Sequence, residues 1–148
     1  MSDFINLCDR YHKQLDNGER AQIKRTTEPE DLLELPAFYR LIGTATQKEL
    51  KQLARVAFFL PLIEIHDNEA DSLGRQLSKY KISEKRLFHI IRSESPNDLI
   101  QLKRVLQQAK LSKINWQAFG ETLFYWGKLK KQRLMQDFYL HPQQKEEA

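Results

Sequence analysis

The chain has 148 residues, 41% hydrophobic and 30% charged, with 5 Gly, 5 Pro and a formal net charge of +4. That mix supplies a sizeable core for one domain or two small subdomains, and it excludes a disordered chain and argues against an all-β one. No stretch is long and apolar enough to span a membrane, and residues 1–16 read as an amphipathic helix rather than a signal peptide, so a cytoplasmic location is expected.

The first helix is predicted from about Ser2 to Leu15, with Phe4, Cys8, Tyr11 and Leu15 on its buried face. This makes the single cysteine a core residue rather than a nucleophile. Asp16-Asn17-Gly18 is expected to break that helix. A second follows from Glu19 to about Thr26, where Arg20, Lys24 and Arg25 crowd one short rod. Nearby Glu28, Glu30 and Asp31 could neutralise them, or they could face a phosphate backbone. Residues Thr27 to Pro36 read as an acidic connector, and a short helix spans Ala37 to Ile42, closed by Gly43.

Thr46 with Glu49 forms a capping-box pattern that opens a helix to about Leu60. Leu50, Leu53, Ala54, Ala57 and Phe58 make its buried stripe; Lys48, Lys51, Gln52 and Arg55 fall on the opposite side. Pro61 ends or kinks it. Ile63 to Asp71 reads as a hinge, and His66-Asp67-Asn68-Glu69 within it as a solvated loop rather than a metal site. Leu73 to Lys79 is a short helix.

Ile82 to Lys110 reads as two helices joined by a turn, with Ser83 and Ser95 as caps and Pro96 at the first position of the second. There Leu99, Leu102, Leu106 and Ala109 recur at helical spacing, and Lys103 and Arg104 stand to one side. The last long helix is expected from Asn115 to Tyr139, anchored by Trp116, Phe119, Leu123 and Trp126. Gly127 to Arg133 then carries four cations in seven residues. On a straight helix Lys130 would enter the apolar stripe, so it must snorkel out or the helix must bend near Gly127. Gln143 to Ala148 is a polar tail, expected to be disordered. No strand shows clean two-residue alternation, and the chain reads as all helical.

The sequence offers no recognisable catalytic machinery. It has no dinucleotide-binding or Walker glycine loop, and His12, His66, His89 and His141 do not recur with Cys or acids at ligand spacing. The cations are unevenly spread: residues 1–84 hold 12 Lys and Arg against 14 Asp and Glu, a net −2, whereas residues 85–148 hold 12 against 6, a net +6. They gather at Arg20/Lys24/Arg25, Lys48/Arg55, Lys85/Arg86/Arg92, Lys103/Arg104 and Lys128/Lys130/Lys131/Arg133. Such groups could track a sugar-phosphate backbone, or they could be the solvated faces of a generic helical adaptor. Because the aromatics sit mostly at core spacing, no base-stacking platform is expected.

Three segments carry a resemblance: LDNGERAQIKRTTEPEDLLELPAFYRLI (residues 15–42), LGRQLSKYKISEKRLFHIIRSESPNDLIQLKRVLQQAK (73–110) and WGKLKKQRLMQDFYL (126–140). In this order they resemble the CasB family, the small subunit of the type I-E CRISPR surveillance complex, Cascade. The resemblance implies an all-α protein of two small helical bundles packed in one compact chain. With the hinge reading it divides the chain into an N-terminal bundle (1–65), a hinge and short helix (66–82), a C-terminal bundle (83–140) and a polar tail (141–148). It also implies a non-catalytic protein without cofactor, metal, membrane or small-molecule ligand. The implied partners are guide RNA, target DNA with its displaced non-target strand, the backbone and large subunits of the complex, and a second copy of the chain. Within the matching motifs it points to Arg25, to Arg86 in S-E-K-R, to Arg104 in L-K-R and to Lys128 in W-G-K. Lys48 lies in a less similar stretch, and Ser95 stands where a relative has a basic residue. Together with the cation groups, the expected nucleic-acid contacts are Lys24, Arg25, Lys48, Arg55, Arg86, Arg92, Lys103, Arg104, Lys128, Lys130 and Lys131.

Overall fold

Phe4, Leu7, Cys8 and Tyr11 share one face of helix α1 (Phe4–Lys13) and are all buried, in a computed structural model that describes residues 4–43 and 47–140. The expected start at Ser2 lies outside the described residues. Asp16 does more than stop this helix. Its carboxylate accepts from the Glu19 N–H and the Glu19 carboxylate accepts from the Asp16 N–H, at 2.8 and 3.0 Å. This reciprocal cap opens α2 (Asn17–Lys24), so Gly18 belongs to its first turn and not to a break.

The stretch read as a connector is instead a 3-10 helix, Pro29–Glu34, whose Leu32 is fully buried. Asp31 organises its start by accepting from the Thr27 N–H and hydroxyl and from the Glu28 N–H. Helix α3 (Pro36–Ile42) follows, and Gly43 ends it at φ 66, a conformation that costs a glycine nothing. The Thr46 cap lies outside the described residues; a 3-10 turn at Gln47–Glu49 leads into α4 (Leu50–Phe59). Six of the ten residues of α4 are buried, Leu53, Ala54 and Val56 through Phe59. It therefore runs through the core, packed on the 29–34 segment, α2 and α3. Pro61 sits in a further 3-10 turn, Leu60–Leu62.

Among the described residues the all-helical expectation is amended by one short strand pair. Ile65–His66 (β1) pairs in parallel with Lys113–Ile114 (β2), two residues each, too short for any alternation to register. Around this pairing the segment expected to be a hinge is fastened. The Asp67 N–H donates to the Ile114 carbonyl at 3.0 Å, the Lys113 ammonium meets the Asp67 carboxylate at 2.9 Å, and the Trp116 indole N–H donates to the Ile63 carbonyl at 3.0 Å. His66 Nδ1 accepts from the Trp116 backbone N–H at 2.9 Å, which places its proton on Nε2, facing Asn68 Oδ1 at 2.8 Å.

The remaining helices are α5 (Leu73–Lys79), α6 (Glu84–Arg92), α7 (Asn97–Ala109), α8 (Trp116–Phe124) and α9 (Lys128–Tyr139). Ser72, Ser83 and Asn115 cap α5, α6 and α8 through their side chains. In α7 the start is displaced: Ser95 lies before it, Pro96 occupies the cap position and Asn97 is the first helical residue. The long helix expected from Asn115 to Tyr139 is divided at residues 125–127 into α8 and α9. The break takes Lys130 off the α8 stripe, but on α9 it lies four residues before the buried Leu134 and is half-buried. α6 packs on α7 and α9, and α5 crosses α9 so closely that a Cβ on Gly74 would fall 2.5 Å from the Leu134 carbonyl oxygen. α8 packs instead on α1 and α4, with Gly120 against the Phe4 ring. The buried side chains of both helical groups form one hydrophobic cluster in a mostly helical chain.

Candidate nucleic-acid interface

The expected contact residues separate into two populations. Lys103 is the clearest member of the first. It lies four residues after Leu99 and three before Leu106, so the helix that buries those leucines carries it inward. Only 7% of Lys103 is exposed; its ammonium donates to the Thr26 carbonyl at 3.2 Å and sits 4.1 Å from the centroid of the Phe58 ring. Burial lowers its pKa. The reading that placed Lys103 beside the stripe is therefore corrected: its charge serves the interior.

Arg55 and Lys131 are likewise turned inward, around Asp98. This aspartate is 1% exposed and accepts from the Trp126 indole N–H at 2.9 Å and from the Lys131 ammonium at 2.8 Å. Lys131 also donates to the Ser93 carbonyl at 2.8 Å, joining the end of α6 to the start of α7 and to α9. Arg55, placed on the outer side of α4 by the sequence reading, is half-buried, and its Nη2 donates to the Phe124 carbonyl at 2.7 Å. Burial lowers the Arg55 pKa and the nearby Asp98 charge opposes that. Arg20, grouped with Lys24 and Arg25 in the sequence, curls back onto the His12 and Leu15 carbonyls and Asn17 Oδ1.

The second population faces solvent. Lys24, Arg25, Lys48, Arg92, Arg104 and Lys128 are exposed, and Arg86 and Lys130 are half-buried. Among the described residues none of these eight side chains makes an ion pair, and Arg92 alone has a partner, the Phe88 ring. The Lys103–Thr26 bond ties the end of α2 to the middle of α7, so the exposed Arg25 and Arg104 flank one junction. Arg86 borders a shallow cleft with Lys81 and Gln108, between α6 and the end of α7. Lys128 lies beside Ile91 where α9 meets α6. Lys48 stands apart on the 3-10 turn before α4. Charge of one sign left without carboxylates attracts polyanions, and these eight side chains have that property in common.

Sequence reasoning missed Asp98 as the centre of an internal network, because its partners lie 28 and 33 positions away. It also missed Phe88, an exposed ring on α6, although the i, i+4 spacing with Arg92 was visible. Among the described residues no group of three His, Cys, Asp or Glu is placed to hold a metal, and no helix is long and apolar enough to cross a membrane. Cys8 is buried with its thiol directed at the Glu64 carbonyl; desolvation and the nearby Asp9 and Glu64 push its pKa up to about 12. It is held far from the thiolate form a nucleophile needs.

Residues 19–139 match the family model described as CRISPR-associated protein Cse2. The chain is 36% identical over 155 residues to the CRISPR system Cascade subunit CasB of Escherichia coli (strain K12), covering 95% of this chain and 96% of that protein. It also superimposes on a chain of E. coli Cascade in a crystal structure bound to a PAM-containing dsDNA target, with a TM-score of 0.85, 37% identity, and 95% and 98% of the two chains covered. With a family match over most of its length and a near-complete relative, the chain belongs to the CRISPR-associated Cse2 (CasB) family.

Proposed function

We propose that the chain acts as the non-catalytic small subunit of a type I-E CRISPR surveillance complex, laying basic helix surfaces along nucleic-acid backbone to stabilise the R-loop and its displaced strand. What supports this most is the conjunction of the near full-length similarity to a Cascade subunit with a set of exposed or half-buried cations that no carboxylate among the described residues neutralises. The residues assigned to backbone contact are Lys24, Arg25, Lys48, Arg86, Arg92, Arg104, Lys128 and Lys130. Arg55, Lys103 and Lys131 are removed from that set because their charges are spent inside the fold.

The energetics suit a binding role without chemistry. Exchanging a DNA duplex for a guide-target heteroduplex is nearly balanced, so a few phosphate contacts on the displaced strand tip it. The complex would work in the cytoplasm with guide RNA, target DNA, the backbone and large subunits and a second copy of this chain as partners, and with no cofactor. Charge reversal at Arg104 and Lys128 together, in the assembled complex, is expected to shorten R-loop lifetime on the order of tenfold at low salt while the isolated variant keeps its thermal midpoint. An unchanged lifetime would remove these two residues from the interface. The adaptor reading draws on Tyr125 and Leu129, 65% and 79% exposed at the α8–α9 corner, an apolar pair suited to a protein neighbour. Under that reading alone, the isolated chain binds no oligonucleotide even at low salt.

A further inference from the structure

The outward stripe of α6 combines two chemistries, an exposed aromatic ring and unpaired cations a turn to either side of it. Lys85, Phe88, His89 and Arg92 stand at i, i+3, i+4 and i+7 and all four are exposed, while Leu87 and Ile90 face the core. Phe88 keeps 46% of its surface exposed although the Arg92 guanidinium lies 4.8 Å from its ring centroid. The acid in this helix, Glu84, accepts from the Tyr139 hydroxyl at 2.9 Å, and among the described residues no carboxylate pairs with Lys85 or Arg92.

An isolated exposed phenylalanine is ordinary. One flanked a turn before and a turn after by uncompensated cations, with a guanidinium already on the ring, has the composition of a surface that stacks a base and holds the phosphates beside it. A protein occupant would want further apolar surface around the ring, and the exposed neighbours on the helix are the polar and charged Glu84, Lys85, His89 and Arg92 instead. A base within a duplex is covered on both faces by its neighbours, so only an unpaired base can reach the ring.

We propose that Phe88 is a base-stacking position for single-stranded nucleic acid, with Lys85 and Arg92, about 10 Å apart along the helix, contacting the flanking phosphates. The proposal rests on the nucleic-acid reading above and deepens it, adding a base contact to an interface otherwise made of charge. It also replaces the expectation, drawn from core-spaced aromatics, that no stacking platform exists.

The test is fluorescence anisotropy of the full chain with labelled oligothymidylate and with an abasic oligomer of equal length, at several salt concentrations. Phe88→Ala is expected to weaken oligothymidylate binding about 5- to 150-fold, the range for one stacked base. It should leave both abasic binding and the slope of log affinity against log salt unchanged, because no cation is removed. Phe88→Tyr should bind as the parent chain does. Equal oligothymidylate affinity of Phe88→Ala and parent, with salt-dependent binding intact, overturns the stacking role and leaves the backbone reading standing. Equal losses on both oligomers also overturn it, since stacking cannot act without a base. If the parent chain binds neither oligomer at low salt, both readings fall. Unaltered oligothymidylate affinity with lost assembly into the complex would assign Phe88 to a protein contact.

Discussion

The junction of α4, α7 and α9 and the outer faces of α6 and α7 draw on the same residue types and use them in opposite ways. At the junction, Arg55, Lys103 and Lys131 are pulled out of water and held by carbonyls, an aromatic ring and one buried carboxylate, with Arg55 Nε left without a hydrogen-bond partner among the described residues. On the outer faces, Arg86, Arg92 and Arg104 have no carboxylate within the described fold. An interior charge lacking a partner costs several kcal/mol, whereas a surface charge lacking one costs little, so only the outer set is left available to an external anion. Lys103 and Arg104 make the contrast within one turn of α7: adjacent in sequence, they point to different sides of the helix wall.

The largest expected effect lies at the centre of the inner region. Asp98→Ala strips the Lys131 ammonium and the Trp126 indole N–H of their shared acceptor and leaves a largely buried cation uncompensated. Stability should fall by about 3 kcal/mol, read as a thermal midpoint lower by about 6–12 °C in circular dichroism. A midpoint shift of under 2 °C would mean, on the same scale, that the network is ornamental to the fold. A smaller contrast is expected at the α7 pair. Lys103→Met places an apolar chain where a desolvated ammonium now sits, so stability should hold or rise by up to about 1 kcal/mol, with oligonucleotide binding unchanged. Arg104→Gln should leave stability within about 0.5 kcal/mol and reduce the salt slope of single-strand binding by about 0.7. If Lys103→Met moves the slope and Arg104→Gln does not, the inside-outside division is reversed.

Local rules carried much of the fold. α5 spans the expected Leu73 to Lys79, Ser83 caps α6 as its position implies, and Asn115 caps α8. What escaped was long-range or too short to have a period. The β1–β2 pairing involves two residues a side and is specified by contacts 48 to 50 positions apart, notably Trp116 with His66. Asp98 reads locally as a first-turn acid, and nothing nearby announces that Trp126 and Lys131 converge on it. Lys103 is a different failure. Its spacing from Leu99 and Leu106 places it on the buried stripe, whereas its chemical type argues for the outside, and packing follows the spacing. The candidate interface was legible in two parts: composition indicated that the C-terminal half is basic, and the resemblance to a known family singled out Arg25, Arg86, Arg104 and Lys128.

The smallest effect concerns a basic group in the N-terminal half that the fold keeps uncharged. His12, half-buried on α1, faces the Leu60 carbonyl at 3.1 Å, a geometry in which a neutral imidazole donates from Nε2. Desolvation lowers its pKa below 6.5, and Arg20 adds to this, while the Glu64 charge and the Leu60 and Ile63 carbonyls oppose it. In the unfolded chain the ring takes up a proton as pH falls through 6.5, and in the folded chain it does so only at lower pH. The unfolded state therefore binds more protons across that window. The contribution of His12 to stability is fully present above 6.5 and is lost as pH falls toward the folded value. Parent chain and His12→Gln, which keeps a donor for the Leu60 carbonyl, should differ in how the thermal midpoint changes between pH 7 and pH 5, with the parent falling more steeply. Parallel curves would show that the imidazole is protonated equally in both states. Like Lys103, His12 would then be a basic side chain whose free energy is set by the groups around it, but one that the interior tolerates in either form.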